Sequence, residues 1–251
     1  MPDGLDRYFA AMESEWPDVD AGNLRFYLDY LFRGVQLDGA AMLDVGAGDG
    51  RYSFYAAAAG ARRVVALEPE IEGSTAGVRE QFRHVAGLLG LDSVELRTEP
   101  FQEFDAGSER FDVLFLHAVV NHLDEQACID LHRDEAARDT FRQLFAKLAD
   151  LAADGARLIL VDASRRNLFA HIPLTNPLVP EIEWEKHQPP RRWAALLEEA
   201  GFTSPEITWN TLNTLRKPGR AILGNPVAAW FLQSGFRLAM VRRPREVAAS
   251  A

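Results

Sequence analysis

A glycine-rich turn near the start of the chain is the segment best suited to hold a ligand. It reads Leu43-Asp44-Val45-Gly46-Ala47-Gly48-Asp49-Gly50, so glycines stand at every second position and an acid stands two residues ahead of the first one. Residues without a Cβ let the chain turn tightly and bring peptide N–H groups against a ligand. A short apolar run precedes the turn and a helical segment follows it. The pattern predicts a strand, a turn and a helix around a nucleotide-like molecule.

A second acid lies where a companion contact to such a ligand is expected. The run Val64-Val65-Ala66-Leu67 ends in Glu68, which stands 18 residues after Gly50. A carboxylate at the tip of the second strand can accept hydrogen bonds from both hydroxyls of a ribose. The dinucleotide fingerprint requires a glycine at the sixth position counted from Gly46, and Arg51 stands there instead. This difference disfavours NAD and FAD.

The acid and the three glycines of the turn form Asp-x-Gly-x-Gly-x-Gly, which resembles the class I (Rossmann-fold) methyltransferases that use S-adenosylmethionine, of small-molecule type. The resemblance covers residues 40–162 and includes segments 111–117 and 121–123. It implies that the glycine loop, with Ala47, wraps the amino-acid end of S-adenosylmethionine. It also implies that Asp44 lies under the ammonium group of that molecule.

Further contacts to the donor are expected from Pro69, beside Glu68, and from Leu116 in the fourth strand. The adenine contact is less distinct, because residues 98–101 read Thr-Glu-Pro-Phe where the family often carries a Gly-Asp pair. Two alternatives follow. Either the Glu99 side chain meets the base, or the backbone at Phe101 and Gln102 does.

Two histidines are candidates for a catalytic base. His117 ends the fourth predicted strand and His122 lies in the loop after it, beside the expected position of the methyl group. Imidazole titrates near neutrality, so either side chain could remove a proton from an acceptor hydroxyl. The alternative for both is a hydrogen-bonded structural histidine. Asp162, at the end of the fifth strand, could orient a histidine, bind an acceptor hydroxyl or cap a turn.

Two segments are longer than a sheet connection requires, namely 163–188 and 211–234. Both leave the carboxyl edge of the predicted sheet, where ligands of open α/β folds bind, so we expect them to cap an acceptor pocket. The first contains Trp184 and His187, and their mixture of aromatic and polar groups is typical of substrate pockets. No His and carboxylate spacing matches a metal site, so no metal is expected.

The elements that position these residues alternate between strands and helices, which predicts an α/β fold. It is a Rossmann-like, seven-stranded, mostly parallel sheet with helices on both faces and an antiparallel last strand. The predicted strands are Ala41–Val45, Arg63–Leu67, Ser93–Arg97, Phe111–Leu116, Arg157–Val161, Glu206–Trp209 and Phe236–Arg242. We expect one domain over residues 1–251, comprising an N-terminal helical cap (1–39), the S-adenosylmethionine-binding core (40–162), and the cap insertions with the C-terminal strands (163–251).

The charge distribution narrows the range of partners. The net charge of −10 is uneven, with 15 Lys and Arg against 30 Asp and Glu in residues 1–162, and 12 against 7 in residues 163–251. Nucleic-acid binders usually present a basic face, so a nucleic-acid partner is not expected. No apolar run is long enough for membrane insertion. The single cysteine, Cys128, suits a reducing compartment, so a cytoplasmic location is expected.

The loop after the fourth strand lacks the Asn/Asp-Pro-Pro-aromatic signature of enzymes that methylate base amines or glutamine amides. The sequence therefore favours methyl transfer to a small-molecule hydroxyl, in a natural product, sugar or lipid precursor. An N-methyltransferase is the next alternative. A non-catalytic scaffold that binds S-adenosylmethionine belongs to a different class and also stays open, and the oligomeric state is not predicted.

Overall fold

Within residues 4–70 and 77–244, which the computed structural model describes, seven strands form one sheet. They are β1 Ala41–Val45, β2 Arg63–Leu67, β3 Val94–Arg97, β4 Phe111–His117, β5 Ala152–Ala163, β6 Phe202–Trp209 and β7 Gly235–Arg242. Their order is β3-β2-β1-β4-β5-β7-β6, and β7 runs antiparallel to both β5 and β6. The predicted seven-stranded, mostly parallel sheet with an antiparallel last strand is confirmed. β6 begins at Phe202, earlier than the predicted Glu206.

The start of β5 also differs from the prediction. Its hydrophobic run indicates a start at Arg157 and a helix cap at Gly155, but the preceding helix ends at Leu151. The next residue, Ala152, already pairs with Phe111 of β4. Gly155 lies inside β5 at a φ of 77°, which a glycine adopts without strain. The alternation of side chains is interrupted here, so the strand's first half has no periodic sequence signal.

Helices cover both faces of the sheet, as predicted. One face carries α1 Gly4–Glu15, α2 Ala21–Leu31, α3 Arg51–Ala58 and α4 Val78–Leu89, and the other carries α5 Glu125–Asp130, α6 Glu135–Leu151 and α7 Pro190–Glu199. Helices α8 Arg216–Leu223 and α9 Pro226–Phe231 belong to the insertion between β6 and β7. Phe141, Leu144, Phe145 and Leu148 of α6 are all buried, because residues three and four apart share one face of a helix. No helix in the described ranges is long and apolar enough to cross a membrane.

A buried arginine of β7 connects the end of α2 to the β7–β6 side of the sheet. Arg237 of β7 donates from Nε to the carbonyl of Leu31 (2.7 Å) and from Nη2 to the carbonyl of Arg33 (3.0 Å). The hydroxyl of Tyr30 donates to the carbonyl of Thr208 in β6 (3.1 Å). Arg237 thus satisfies the last carbonyl of α2 and one carbonyl in the turn after it, and these contacts hold the helix over the carboxyl end of the sheet.

The carboxyl ends of β1, β2 and β4 meet at one edge, with Val45 paired to both Leu67 and Leu116. Successive side chains of a strand point to opposite faces. Leu116 therefore packs among the side chains of the α5–α7 layer, whereas His117 lies against α2 and α3. Leu116 and His117 are thus neighbours in the sequence but pack on opposite faces of the sheet.

Candidate active site

A cavity of about 530 Å³ lies at this edge, and we call it the edge cavity. Four chain segments form its walls: the glycine loop, the end of β2 with the start of α4, the turn after β3, and the segment after β4. It is lined by Val45, Gly46, Gly48, Leu67, Glu68, Pro69, Val78, Pro100, Phe101, Gln102, Glu103, Ala118, Val119, His122, Leu123 and Glu125. A mostly apolar wall with a few placed polar groups is typical of small-molecule sites.

The backbone conformation of the loop favours glycine at all three positions, and close packing adds a second reason at Gly46. Gly46, Gly48 and Gly50 have φ angles of 70°, 54° and 82°, in the left-handed region that disfavours a side chain. A Cβ at Gly46 would overlap the side chain of Val119, at 2.3 Å from its Cγ2. Space remains open around the Cβ position of Gly48, so the backbone faces the cavity there.

Glu68 is the buried carboxylate of the cavity wall. It is 4% exposed, and its Oε2 accepts a hydrogen bond from the N–H of Gly48 (2.8 Å). Its Oε1 accepts from the N–H of Glu70 (2.9 Å), so the carboxylate joins the glycine loop to the end of β2. Pro69 follows it on the same wall. The structure brings these residues together at the place where the sequence predicts a ribose contact.

Asp44 lies on the opposite side of its strand from the lining residue Val45 and does not line the edge cavity. Its Oδ2 accepts a hydrogen bond from the Ser53 hydroxyl of α3 (2.7 Å). Burial raises the pKa of Asp44 to about 7, although the Ser53 hydroxyl lowers this pKa and the Glu68 charge raises it further. Asp44 thus braces the strand against α3, and the structure does not bring it into the cavity.

Three other residues predicted to contact the donor lie behind the cavity wall. Ala47 is 6% exposed and its N–H donates to the carbonyl of Leu67 (2.9 Å). Gly50 precedes α3 and has the Phe82 ring against it. Leu116 is a core residue, 1% exposed. These three residues shape the loop and its support.

The turn after β3 bears on the two alternatives for the base contact. Phe101 and Gln102 line the edge cavity, whereas Glu99 does not. The Glu99 carboxylate pairs with the guanidinium of Arg97, which holds the pKa of that carboxyl below its ordinary value. The Gln102 amide donates to the carbonyl of Leu123 and so connects two walls of the cavity. The geometry favours the Phe101–Gln102 alternative.

His122 lies on the wall of the edge cavity with both ring nitrogens engaged. Nδ1 is 2.6 Å from Oε1 of Glu125, and Nε2 is 3.4 Å from Nδ2 of Asn121. Glu125 also pairs through Oε2 with the ammonium of Lys186 (2.9 Å). This hydrogen bond to Lys186, and secondly that to His122, lower the pKa of the Glu125 carboxyl, so the carboxylate is charged at neutral pH. The bond to Glu125 favours the tautomer that carries its proton on Nδ1.

His117 does not line the edge cavity. Its Nε2 is 2.8 Å from the hydroxyl of Tyr27 and 3.2 Å from that of Tyr52, and its ring packs against Phe115. Burial lowers the pKa of His117 to about 4. The prediction that this imidazole titrates near neutrality, as a base must, is corrected. His117 is a neutral member of an aromatic cluster under α2.

The other predicted pocket residues lie on the α5–α7 side. The carboxylate of Asp162 (Oδ1) is 2.9 Å from Nδ1 of His187, so the end of β5 and the first insertion are joined. Trp184 begins a 3-10 turn, Trp184–Lys186, and lines neither the edge cavity nor the second cavity described below. Its neighbour Lys186 reaches Glu125 instead.

A second cavity, of about 1060 Å³, lies between the insertions, and we call it the cap cavity. Its walls are Ser164, Arg166, Pro189, Pro190, Arg191, Arg192, Ile207, Trp209, Pro226, Val227 and Trp230. Both insertions contribute to it, and Trp209 and Trp230 are its aromatic lining residues. In the described parts of the chain, no group of three or more His, Cys, Asp or Glu could hold a metal ion.

The family profile described as "Methyltransferase domain" matches residues 21–206 of this chain. The chain belongs to the methyltransferase-domain family. The family and its donor, S-adenosylmethionine, are thereby confirmed as the sequence predicts. The matched range begins at α2 and ends within β6, so it contains the whole edge cavity.

Solved structures share the fold at low identity. An S-adenosylmethionine-dependent methyltransferase from Mesorhizobium loti is 14% identical, with 91% of this chain and 98% of that chain covered and a TM-score of 0.57. The N-methyltransferase NodS from Bradyrhizobium japonicum is 13% identical, with 89% and 97% covered and a TM-score of 0.56. The [4+2]-cyclase SpnF is also 13% identical, with 89% and 82% covered and a TM-score of 0.56. Relatives this distant show the fold alone.

A curated relative is similar over a short segment. The tRNA U34 carboxymethyltransferase of Marinobacter nauticus is 35% identical over 88 residues. This segment is 35% of the present chain and only 25% of that protein.

The residues of the edge cavity fit S-adenosylmethionine. The open backbone at Gly48 accepts a close ligand, and the Glu68 carboxylate can receive hydroxyl hydrogen bonds. The buried ring of Phe101 and the side chain of Leu123 offer an apolar surface for a base. A methyl donor would therefore be held by residues of the glycine loop, the β2 tip and the turns after β3 and β4.

Sequence reasoning missed several lining residues. Ala118, Val119 and Glu125 were not predicted, although they surround the predicted His122. Ala118 has a φ of 51°, an uncommon value for a residue with a Cβ, and this turn directs Val119 onto Gly46. The available signal was Glu125, an acid three residues after His122, which can meet it across one turn.

Proposed function

We propose that this protein transfers a methyl group to a hydroxyl oxygen of a small molecule, in a natural product, sugar or lipid precursor. The observation that carries the proposal is the placement of His122 on the wall of the edge cavity, with Glu125 on its Nδ1. This arrangement puts the ring proton on Nδ1, so Nε2 is the proton-accepting nitrogen, and an acceptor hydroxyl would replace the 3.4 Å contact between Nε2 and Nδ2 of Asn121. A charged carboxylate on the other ring nitrogen stabilises the imidazolium that forms.

When bound, S-adenosylmethionine supplies a methyl group on a positively charged sulfur. The roles of this chain's residues are to bind, to orient and to remove a proton. Gly46 and Gly48 present backbone to the donor, Glu68 accepts its ribose hydroxyls, and Phe101 lies against its base. Asp44 supports the loop from below and favours a nearby ammonium group through its charge.

Nε2 of His122 would accept the proton of the acceptor hydroxyl. The donor, when bound, would supply the methyl group, with its carbon–sulfur bond breaking to leave S-adenosylhomocysteine. Positioning alone can supply roughly 7–11 kcal/mol of such a reaction's barrier, and a placed base adds about 10²- to 10⁴-fold. His117 is not assigned this role, because its burial keeps it neutral and Tyr27 and Tyr52 occupy its free ring nitrogen.

The cap cavity is the proposed acceptor site. Both insertions, 163–188 and 211–234, contribute to its walls, and Trp209 and Trp230 give it an apolar surface. Asp162 is paired through Phe236 with Trp209 across the sheet, so these side chains share a face. The pair formed by Asp162 and His187 is thus proposed to lie beside the acceptor, while Trp184 supports the turn that carries Lys186.

An N-methyltransferase is the second candidate, and NodS shares the fold. An amine acceptor needs less help from a base, so transfer independent of His122 would favour it. A tRNA substrate, named for the Marinobacter protein, is disfavoured by the acidic composition of residues 1–162. A cytoplasmic location is retained as a proposal because the free thiol of Cys128 suits a reducing compartment.

The test is a methyl-transfer screen with the purified chain. Formation of S-adenosylhomocysteine is followed with hydroxyl-bearing small molecules, with the matching amines, and with unfractionated tRNA. Turnover confined to hydroxyl compounds supports the proposal, whereas turnover confined to amines or tRNA contradicts it. Tight S-adenosylmethionine binding without transfer to any acceptor class would favour the scaffold alternative.

A further inference from the structure

The cap cavity combines apolar walls with arginines. Ile207, Trp209 and Trp230 line one part of it, and Arg166, Arg191 and Arg192 line another. Arg191 and Arg192 begin α7, where the helix end adds a partial positive charge. Arg166 lies near the start of the first insertion, so the cationic groups approach the cavity from two chain segments.

The three arginines of the cap cavity, of which Arg166 and Arg191 are exposed and Arg192 is partly buried, have no acidic partner among the described residues. Within residues 4–70 and 77–244, no ion pair involves Arg166, Arg191 or Arg192. Among the residues in those two ranges, the one side-chain hydrogen bond of this set runs from Nη1 of Arg192 to the neutral amide oxygen of Gln188 (2.7 Å). By contrast, Arg142 on α6 contacts three carboxylates.

The electrostatic surroundings of Arg192 also indicate positive charge without a counter-ion. Burial lowers the pKa of its guanidinium, and the next contributions come from Arg165, Arg138 and Arg166. A group of like charges without counter-ions is unfavourable, and it persists here in a chain whose acids outnumber its bases, 37 to 27. An anion placed among them would relieve the repulsion.

We propose that the cap cavity binds an acceptor that carries a carboxylate or a phosphate, with this anionic group held by Arg166, Arg191 and Arg192. A planar guanidinium matches either anion with two parallel hydrogen bonds. The hydrocarbon or aromatic part of the acceptor then packs on Trp209 and Trp230. The inference rests on the proposed function only in taking the cap-cavity ligand to be the methyl acceptor.

The position of Asp162 gives the bound acceptor a direction. Strand β5 lies between β4 and the β7–β6 pair, so Asp162 stands between the loop after β4 and the cap cavity. Its negative charge repels an acid group from that side. The anionic end is therefore held at the arginines, and the rest of the molecule extends toward the edge cavity.

The experiment compares an anionic probe with a neutral one of similar shape. Binding of 1-anilinonaphthalene-8-sulfonate and of N-phenyl-1-naphthylamine is measured by fluorescence titration of the wild type, Arg166→Gln/Arg191→Gln, and the control Arg62→Gln/Arg83→Gln. The control removes the same charge from exposed sites on other elements. Calorimetry with S-adenosylmethionine on each protein verifies that the edge cavity is intact.

We expect the cavity variant to raise the Kd of the sulfonate at least tenfold, since a charge-assisted hydrogen bond contributes roughly tenfold or more. The control should change it less than twofold, and the neutral probe should not distinguish the three proteins. Displacement of the sulfonate by decanoate or by monodecyl phosphate, with decanol as the neutral comparison, then identifies the preferred anion. The inference would be overturned if both variants lost the same sulfonate affinity, or if decanol displaced the sulfonate as well as the two acids do.

Its failure is distinguishable from failure of the proposed function. Transfer to neutral hydroxyl compounds, with the sulfonate bound equally by all three proteins, would contradict the anion site and leave the proposed function supported. If acids bind through the arginines but are never methylated, while other compounds are methylated, the cap cavity is an anion site but is not the acceptor site.

Discussion

Nδ1 of His187 lies 2.9 Å from Oδ1 of Asp162, and this contact fastens the first insertion to the end of β5. Asp162 is buried, and its second oxygen has no hydrogen-bond partner among the described residues. The sequence indicates both residues as pocket residues without indicating that they touch. The contact depends on the path of 24 intervening residues, which no local pattern specifies.

Replacement of His187 by alanine should destabilise the protein by about 1–3 kcal/mol, because the buried Oδ1 of Asp162 then loses the imidazole and keeps the N–H of Ala163 (2.7 Å). Urea denaturation measures the free energy of unfolding. His171→Ala is the matched control, since His171 is an exposed histidine of the same insertion. If both variants lose the same stability, the contact with Asp162 contributes nothing specific.

Glu68→Ala should weaken S-adenosylmethionine binding by about 1.5–3 kcal/mol, because hydrogen bonds to a charged carboxylate are lost. Part of this loss arises from the glycine loop, which Glu68 holds through the N–H of Gly48. Glu99→Ala should leave affinity within about twofold, since Glu99 pairs with Arg97 and lies off the cavity wall. Calorimetry with S-adenosylmethionine on both variants tests this, and equal losses of affinity would contradict the assignment of Glu68 to the cavity wall.

Asp44→Asn should stabilise the ligand-free protein at alkaline pH. Burial raises the pKa of Asp44 from 3.8 to about 7, so the folded state binds the proton more tightly than the unfolded chain does. The wild type therefore loses stability as the pH rises from about 4 to 7, by up to about 4 kcal/mol. Urea unfolding of wild type and variant should give equal stabilities at pH 4 and a difference that grows up to pH 7. A constant difference would contradict this linkage.

The parts of the fold that could be predicted are those with local signals. β1 and β2 match their predicted bounds, because continuous apolar runs are bounded by turn residues. The glycine loop could be predicted equally well, since its chemistry depends on missing side chains. The environment of His117 could not be predicted, because Tyr27 contacts it from a helix 90 residues earlier in the chain. A titratable residue at a strand end cannot be assigned to either face of the sheet until the strand's register is known.

His117→Gln should reduce the acid sensitivity of the fold. Burial lowers the pKa of His117 from 6.5 to about 4, so the unfolded chain binds the proton more tightly. The stability that this histidine contributes is complete above pH 6.5 and is lost as the pH falls toward 4, by up to about 3 kcal/mol. Glutamine keeps an oxygen to accept from Tyr27 or Tyr52 and does not titrate. Unfolding curves at pH 5 and 7.5 should show a smaller difference in the variant than in the wild type.

His122→Ala should lower kcat by roughly 10² or more toward a hydroxyl acceptor, because the base acts in the transition state. S-adenosylmethionine affinity should stay within about threefold, since Glu68 and the glycine loop hold the donor. Single-turnover measurements after preloading with the donor separate the chemical step from binding.

Glu125→Gln separates orientation from proton removal. Glutamine can still accept a hydrogen bond from Nδ1 of His122, but it carries no charge to stabilise the imidazolium, so kcat should fall by only about tenfold. The variant also removes one charged partner of Lys186, which keeps its ion pair with Glu183 (2.7 Å), and Lys186→Met controls for that loss because it leaves the contact between His122 and Glu125 in place. Near wild-type turnover in His122→Ala, with transfer equally good to amines, would mean that positioning alone drives the reaction and that this histidine only shapes the cavity wall.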